Sequence, residues 1–244
     1  MRNNLPLTNV YKKKNIKSEI TTQLLYGDNF KKIKKNRSWL KIKNNTDNYE
    51  GFIENKNFPI DKIYTHKVYK LKAELYSRPS AKNIIKKKLS FGSKIRVTLK
   101  KKNYYKFDNL WIHKKNLKKK KFHDKNVFKN IRKFSNIKYK WGGKHFGGID
   151  CSGLVQILLN FNNKFCPRDT KDQIKYFKKK VKLENIKKND LIFWKGHVAI
   201  AISKSMLMHA YGPKKRTVAM PINKTIQLIY KSAGLKVIGI RRIS

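Results

Sequence analysis

The first half of the chain repeats one pattern of turns and short strands, and this repeat limits the possible folds most. "LLYGDNFKKIKKNRSWLKIK" is followed by "YEGFIENKNF", and later "LSFGSKIRVTLKKKNYYKFD" is followed by "NLWIHKKNL". The aromatic-Gly pair at 26–27 recurs at 91–92, the pair at 39–40 recurs at 104–105, and the apolar pair at 52–53 recurs at 111–112. Alternating apolar and polar residues have the two-residue period of half-buried strands, and Gly, Asn and Asp mark the turns. The repeat predicts two small β-barrels, at residues 1–60 and 61–118.

The pattern changes near residue 124. "DKNVFKNIRKFSN" carries a helical stripe of apolar residues, and "SGLVQILLNF" reads as a mostly apolar helix. Five strand-like runs follow: 191–194, 197–203, 207–211, 216–222 and 236–243. Helices followed by a sheet predict an α+β domain at residues 124–244, joined to the barrels by a basic linker at residues 119–126.

The net charge of +47 has two interpretations. The lysines come with abundant Asn and Ile, which share A/T-rich codons, so base-composition drift explains the charge without a partner. A polyanion partner would explain it as well. We favour drift and expect no specific nucleic acid partner. The run Lys114–Lys125 is interpreted as linker, with a polyanion-binding strip as the alternative.

The sequence also predicts where the chain resides. No apolar run is long enough to span a bilayer. The first residues lack the apolar core of a secretory signal, so we expect a cytoplasmic location. Two cysteines in such a compartment are expected to stay reduced. The oligomeric state is left open.

Cys151 lies at a position in the sequence that favours a reactive thiol. Asp150 is a good helix N-cap, which places Cys151 at the first helical position. Unpaired backbone N–H groups and the helix dipole favour an anion there, so we expect a lowered thiol pKa. A thiolate is a nucleophile suited to amide cleavage. The alternative is a buried structural cysteine.

Two histidines supply the base that a thiol requires. His197 opens an alternating strand and shares a face with Ala199 and Ala201, a small-residue face on which we expect the Cys151 helix to pack. His209 lies on the next strand, and antiparallel pairing can bring it beside His197 to orient that ring. A structural role for His209 is the alternative. With two Cys and no His-rich cluster, we expect no metal and no cofactor.

Four blocks follow one another in the second half of the chain: "YKWGGKHFGGIDCSGLVQ", "PRDTKDQ", "DLIFWKGHVAIAI" and "LMHAYG". Together, and in this order, they resemble the NlpC family of papain-like cysteine peptidases, which cut bacterial cell-wall peptides. The resemblance implies Cys151 as nucleophile, His197 as base and His209 as the third, polar member. It further implies that Tyr139 and the Cys151 N–H stabilise the oxyanion.

The two predicted barrels resemble tandem bacterial SH3-like domains. Family members with such domains in front bind a short peptide with a free amine. The resemblance implies that Asp150, Ser152 and Thr170 contact this peptide, Asp150 also serving as helix cap. Candidates for the barrel's contacts to the amine are Tyr26, Asp28, Tyr49 and Glu50.

The sequence therefore predicts a cysteine endopeptidase acting on short peptidoglycan-derived peptides. The expected bond joins γ-D-glutamate to the diamino acid, and cleavage would pass through a thioester. Two alternatives remain open: a related thiol amidohydrolase or acyltransferase on another substrate, and a catalytically dead, polyanion-binding SH3-like protein.

Overall fold

A computed structural model describes residues 1–60 and 63–243, and the chain divides into two units, 1–123 and 124–244. Residues 61 and 62, where the second predicted barrel begins, and residue 244 lie outside the described residues. The N-terminal unit is built mainly of antiparallel strands, and the C-terminal unit combines an antiparallel sheet with helices, in agreement with the predicted fold class. Among the described residues, no helix combines the length and the apolar character that crossing a bilayer needs.

In its described residues, 1–60 and 63–123, the N-terminal unit holds thirteen strands in three antiparallel sheets. The sheet orders are β2-β1-β5-β4-β3, β10-β11-β12-β7-β8 and β13-β6-β9, and no pairing among the described residues closes one of them into a ring. The strands are β1 Leu7–Tyr11, β2 Ile20–Leu25, β3 Phe30–Lys35, β4 Trp39–Asn44, β5 Glu50–Glu54, β6 His66–Val68, β7 Lys72–Tyr76, β8 Ile84–Ser90, β9 Lys94–Ile95, β10 Leu99–Lys101, β11 Tyr104–Phe107, β12 Leu110–His113 and β13 Leu117–Lys119. Short 3-10 turns lie at Ala81–Asn83 and Lys114–Asn116.

The sequence repeat returns in the strand pairing of the structure. Leu40 of β4 pairs with Ile53 of β5, and the repeat positions Tyr105 and Ile112 pair in the same way. Gly27 and Gly92 both adopt left-handed φ angles, 82° and 84°, which glycine tolerates best. Equivalent residues therefore occupy equivalent turns and strand pairs.

The two repeats join within the N-terminal unit through a partly buried polar junction. Tyr26 belongs to the core of the second repeat and meets Phe107 edge to face, with ring centroids 5.4 Å apart. Asp28 bonds Lys94 at 3.0 Å, and its charge raises the pKa of Lys94 although burial acts in the opposite direction. The Tyr26 hydroxyl donates to Asp108. These bonds already engage Tyr26 and Asp28, two of the four candidates for amine contacts.

The C-terminal unit is organised around a six-stranded antiparallel sheet of order β16-β21-β17-β18-β19-β20, beside the two-stranded sheet β14-β15. Its strands are β14 Lys144–His145, β15 Gly148–Ile149, β16 Lys179–Val181, β17 Leu191–Trp194, β18 His197–Ala201, β19 Met206–Tyr211, β20 Arg216–Pro221 and β21 Val237–Arg242. Its helices are α1 Cys151–Phe161, α2 Thr170–Tyr176 and α3 Ile222–Ala233, with 3-10 turns at Ile131–Phe134 and Leu183–Asn185. The five predicted strand runs all correspond to strands of the large sheet.

The helix expected in residues 124–136 is wrong. Phe128, Ile131 and Phe134 are buried as the stripe predicts, but only the 3-10 turn forms. The Asn162 side chain forms hydrogen bonds with backbone groups of this segment. It accepts from Asp124 N at 2.6 Å and donates to the Val127 carbonyl at 3.0 Å. Tertiary hydrogen bonds thus replace the helical ones.

The segment 119–126, expected to be a linker, is ordered at its start. Lys119 ends β13 and pairs with His66. The Phe122 carbonyl accepts a hydrogen bond from the buried Lys67 ammonium at 2.7 Å. Residues up to 122 are therefore packed parts of the N-terminal unit.

Candidate active site

Cys151 is the first residue of α1, which packs on β18 and β19. Asp150 caps the helix, its Oδ1 accepting from Gly153 N at 2.7 Å. A Cβ on residue 153 would come within 2.4 Å of the Gly143 carbonyl oxygen, so only glycine fits at this approach. The sequence therefore folds locally as expected, with the thiol at the helix tip.

The thiol lies against the backbone on both sides of His197. Cys151 Sγ is 4.0 Å from the Gly196 carbonyl oxygen, and the Val198 N–H interacts with the sulfur. The packing that brings Cys151 close to His197 differs from the expected packing. Ala199 and Ala201 pack in the core cluster that holds Ile222 and Ile229 of α3, so the expectation that the cysteine helix covers this alanine face is wrong. Cys151 instead lies close to the beginning of β18.

The two histidines meet as strand pairing predicts. His197 Nε2 and His209 Nδ1 are 2.8 Å apart. His209 is 1% exposed and stacks on Tyr211, with ring centroids 4.6 Å apart and planes 9° apart.

Trp194 lies opposite His197 across the tight turn at Gly196, with ring centroids 5.6 Å apart. Sequence reasoning did not single out Trp194, although the two-residue Lys195-Gly196 turn was the available signal.

Burial sets the proton state of these groups. It raises the pKa of Cys151 to about 12, with the Asp150 charge acting in the same direction against the N–H groups of Val198 and Ser152. The expected lowering is therefore wrong, because loss of hydration exceeds the effect of the helix end. Burial lowers the pKa of His197 to about 4. For His209, burial and then the nearby His197 lower it to about 3. At neutral pH the resting groups are a thiol and two neutral imidazoles.

Tyr139 belongs to the same neighbourhood. Its backbone bridges in parallel to Ile149 and donates to the Lys215 carbonyl at 2.9 Å. Burial raises its pKa, and the charges of Cys151 and Asp150 add to that rise. The phenol is therefore a neutral hydroxyl donor within electrostatic reach of the thiol.

Asp150 and Ser152 are tied to a buried arginine. Arg168 is 3% exposed; its Nη1 donates to Asp150 Oδ1 at 3.1 Å and to Ser152 Oγ at 2.8 Å, and its Nη2 donates to Asp150 Oδ2 at 2.5 Å. Gly142 N donates to Asp150 Oδ2 at 2.8 Å. Both carboxylate oxygens thus already accept hydrogen bonds, and a substrate amine would meet an occupied carboxylate.

Thr170 stands apart from this network. It is the first residue of α2 and half-buried, and no hydrogen bond between it and Asp150 or Ser152 occurs among the described residues. The contact from α2 to the cysteine helix comes from Gln173, whose Nε2 donates to the Ser152 carbonyl at 3.0 Å. The other cysteine, Cys166, is fully buried and lies 3.4 Å from the Pro167 carbonyl oxygen.

The chain matches two family models. Residues 136–233 match the NlpC/P60 family, and residues 10–58 match the bacterial dipeptidyl-peptidase SH3 domain. A structure of an NlpC/P60 family protein from Bacillus cereus superposes with a TM-score of 0.84, covering 99% of this chain and 98% of that chain at 17% identity. This likeness extends the shared fold to nearly the whole length of both proteins.

Two curated relatives align to parts of the chain. Dipeptidyl-peptidase 6 of Lysinibacillus sphaericus is 33% identical over 85 residues, which are 35% of this chain and 31% of the relative. The probable endopeptidase NlpC homolog of Haemophilus influenzae is 32% identical over 92 residues, 36% of this chain and 49% of the relative. The chain therefore spans less than half the length of either relative. This chain therefore carries a segment, residues 136–233, that matches the NlpC/P60 family, and before it a segment, residues 10–58, that matches the bacterial dipeptidyl-peptidase SH3 domain.

Proposed function

We propose that the chain is a cysteine endopeptidase that hydrolyses the γ-D-glutamyl–diamino acid bond of short peptidoglycan-derived peptides. The observation that carries the proposal is the placement of the Cys151 thiol at the backbone flanking His197, while His197 and His209 share a 2.8 Å hydrogen bond. The two curated relatives, one named a dipeptidyl-peptidase and the other a probable endopeptidase, support peptide hydrolysis.

The proposed chemistry begins from neutral groups. His197 takes the proton of the Cys151 thiol as the sulfur attacks the scissile carbonyl, so the charged pair forms only as the reaction proceeds. The Cys151 N–H and the Tyr139 hydroxyl stabilise the oxyanion. His197 then protonates the leaving amine, a thioester remains on Cys151, and a water molecule activated by His197 hydrolyses it.

Substrate recognition is proposed for Asp150, Ser152 and Thr170. Because Arg168 and backbone N–H groups already engage Asp150, a free substrate amine must displace one of these bonds or interact through charge alone. Ser152 and Thr170 carry hydroxyls that can donate to or accept from the peptide.

A peptide panel tests this function. L-Ala-γ-D-Glu-diamino acid peptides with a free and with an acetylated N-terminus are incubated with the protein, beside amides of acyl lipids. We expect cleavage of the γ-D-glutamyl bond, with the free form preferred by about tenfold or more. Turnover of the acyl-lipid amides alone, by protein with native near-UV circular dichroism, would contradict the proposal and favour a different thiol hydrolase.

A further inference from the structure

A cavity lies in the N-terminal unit, lined by residues that the candidate active site does not use. Its volume is about 480 Å³, and its walls include the rings of His66, Tyr105 and Phe122. His66 and Tyr105 meet edge to face, with centroids 5.7 Å apart, and all three rings are only partly buried. The cavity thus offers recessed aromatic surface to a ligand.

Four lysines, Lys114, Lys118, Lys119 and Lys121, line the same cavity. Within residues 1–60 and 63–243, no carboxylate lies within ion-pair distance of any of the four. A fifth, Lys100, lies over the Tyr105 ring at 5.4 Å. Burial and then the charges of Lys100 and Lys119 lower the pKa of His66, which favours the neutral imidazole. The cavity therefore concentrates positive charge that an anion would neutralise.

Aromatic surface beside uncompensated lysines is the arrangement that binds single-stranded nucleic acid without sequence preference. A base stacks on a ring face, whichever base it is, while neighbouring phosphates meet the ammonium groups. A lipid bilayer requires apolar side chains that protrude from the surface, whereas these rings line a concavity. A phosphate chain without bases would use the lysines and leave the rings unused.

We propose that this cavity binds one nucleotide of a single-stranded nucleic acid, with the base against Tyr105 and His66 and the phosphates on Lys114, Lys119 and Lys121. The run Lys114–Lys125, interpreted from the sequence as a linker with a polyanion-binding strip as the alternative, thus contributes lysines to this cavity.

Fluorescence anisotropy of a labelled oligothymidylate of about twelve nucleotides tests the charged part of the site. The cavity variant is Lys114→Gln/Lys119→Gln/Lys121→Gln. The matched control, Lys31→Gln/Lys32→Gln/Lys35→Gln, removes the same charge from exposed positions of β3 outside the cavity. We expect the cavity variant to weaken binding about tenfold or more and to reduce the salt slope by about 2, and the control to change affinity by less than about threefold. Equal losses in both variants would overturn the site in favour of diffuse attraction to a basic surface.

The variant Tyr105→Leu tests the aromatic part, since leucine keeps apolar packing and removes the ring. We expect about a fivefold or greater loss of affinity for the oligonucleotide with an unchanged salt slope. Polyphosphate of similar charge and phosphatidylcholine vesicles with about one third phosphatidylglycerol serve as competitors. An unaffected Tyr105→Leu variant, or competition by polyphosphate or vesicles as effective as that of unlabelled oligonucleotide, would overturn the proposal.

Discussion

The hydrogen bond between the two imidazoles assigns their tautomers, if His197 is the base. A base needs an unprotonated nitrogen toward the thiol, so His197 Nδ1 is bare and Nε2–H donates to His209 Nδ1. His209 then carries its proton on Nε2, a buried atom for which no hydrogen-bond partner occurs among the described residues. The stacked Tyr211 ring fixes this imidazole in place of a polar partner. In the proposed chemistry His209 thus orients the base, and packing holds His209 itself.

Histidine variants test these roles. We expect His197→Ala to reduce kcat/KM by about 10³-fold or more, because the base is lost, and His209→Ala to reduce it less, because only orientation is lost. His209→Asn should recover part of the activity, since the amide oxygen can accept from His197 Nε2–H. Steady-state kinetics on the γ-D-glutamyl peptide measures all three. A greater loss in His209→Ala than in His197→Ala would mean that the roles are exchanged.

The sequence could predict which residues come together at the candidate site, but not their protonation states. Cys151 after a capping aspartate and two histidines on successive strands are visible in the sequence, because strand period and antiparallel pairing bring such positions together. The direction of the thiol pKa is not visible there. It depends on how much water the fold removes from the sulfur, which only the packed structure determines.

At the scale of elements, the beginning of α1 depends on a loop eighteen residues away. The cap Asp150 follows from its position before an apolar helix, but its pairing with Arg168 depends on the path of residues 162–169. Both side chains are nearly inaccessible, 8% and 1% exposed. The ion pair therefore connects the Cys151 helix to the loop before α2.

A double-mutant cycle tests this connection. Arg168→Met leaves the Asp150 carboxylate buried without its cation, and we expect a loss of about 3–5 kcal/mol in the free energy of unfolding of the C-terminal unit. Asp150→Asn/Arg168→Met should lose less than the sum of the two single variants, because the double variant leaves no charge unpaired. Hydrogen exchange of β17 and β18 amides reports the stability of this unit. Additive losses would contradict coupling between the two side chains.

Strands were the most predictable elements, and irregular segments were the least. The equivalent pairs Leu40–Ile53 and Tyr105–Ile112 follow from a repeat that the sequence displays directly. The segment before residue 136 kept its predicted apolar burial but not its helix, because Asn162, distant in sequence, supplies hydrogen-bond partners. Hydrogen bonds between residues so far apart in the sequence leave no pattern in the local sequence.

At the scale of the whole molecule, the change of sequence style near residue 124 coincides with the division into two units. The N-terminal unit buries one apolar cluster in each repeat, and the C-terminal unit buries the large sheet under α3. The sequence did not reveal how the repeats join, because the Asp28–Lys94 pair links positions 66 residues apart.

Acid sensitivity of the C-terminal unit follows from the buried histidines. Their pKa values, about 4 and about 3, lie below the ordinary value of 6.5. The unfolded chain therefore binds protons that the native unit excludes. Stability is fully present above pH ~6.5 and is lost as pH falls toward the native pKa values, by up to about 1.4 kcal/mol per pH unit for each histidine. Urea unfolding or hydrogen exchange across this window measures the slope, and His209→Gln should make it smaller. An equal slope in wild type and variant would show that His209 is already protonated in the native unit.

The most direct test of the proposed chemistry compares the two cysteines of the chain. The measurement is kcat/KM for hydrolysis of L-Ala-γ-D-Glu-diamino acid peptide by wild type, Cys151→Ala and Cys166→Ala. We predict that Cys151→Ala loses at least about 10³-fold and that Cys166→Ala, which removes a packed thiol outside the proposed chemistry, retains activity within about tenfold. Retained hydrolysis in folded Cys151→Ala would contradict the assignment of this thiol as the nucleophile.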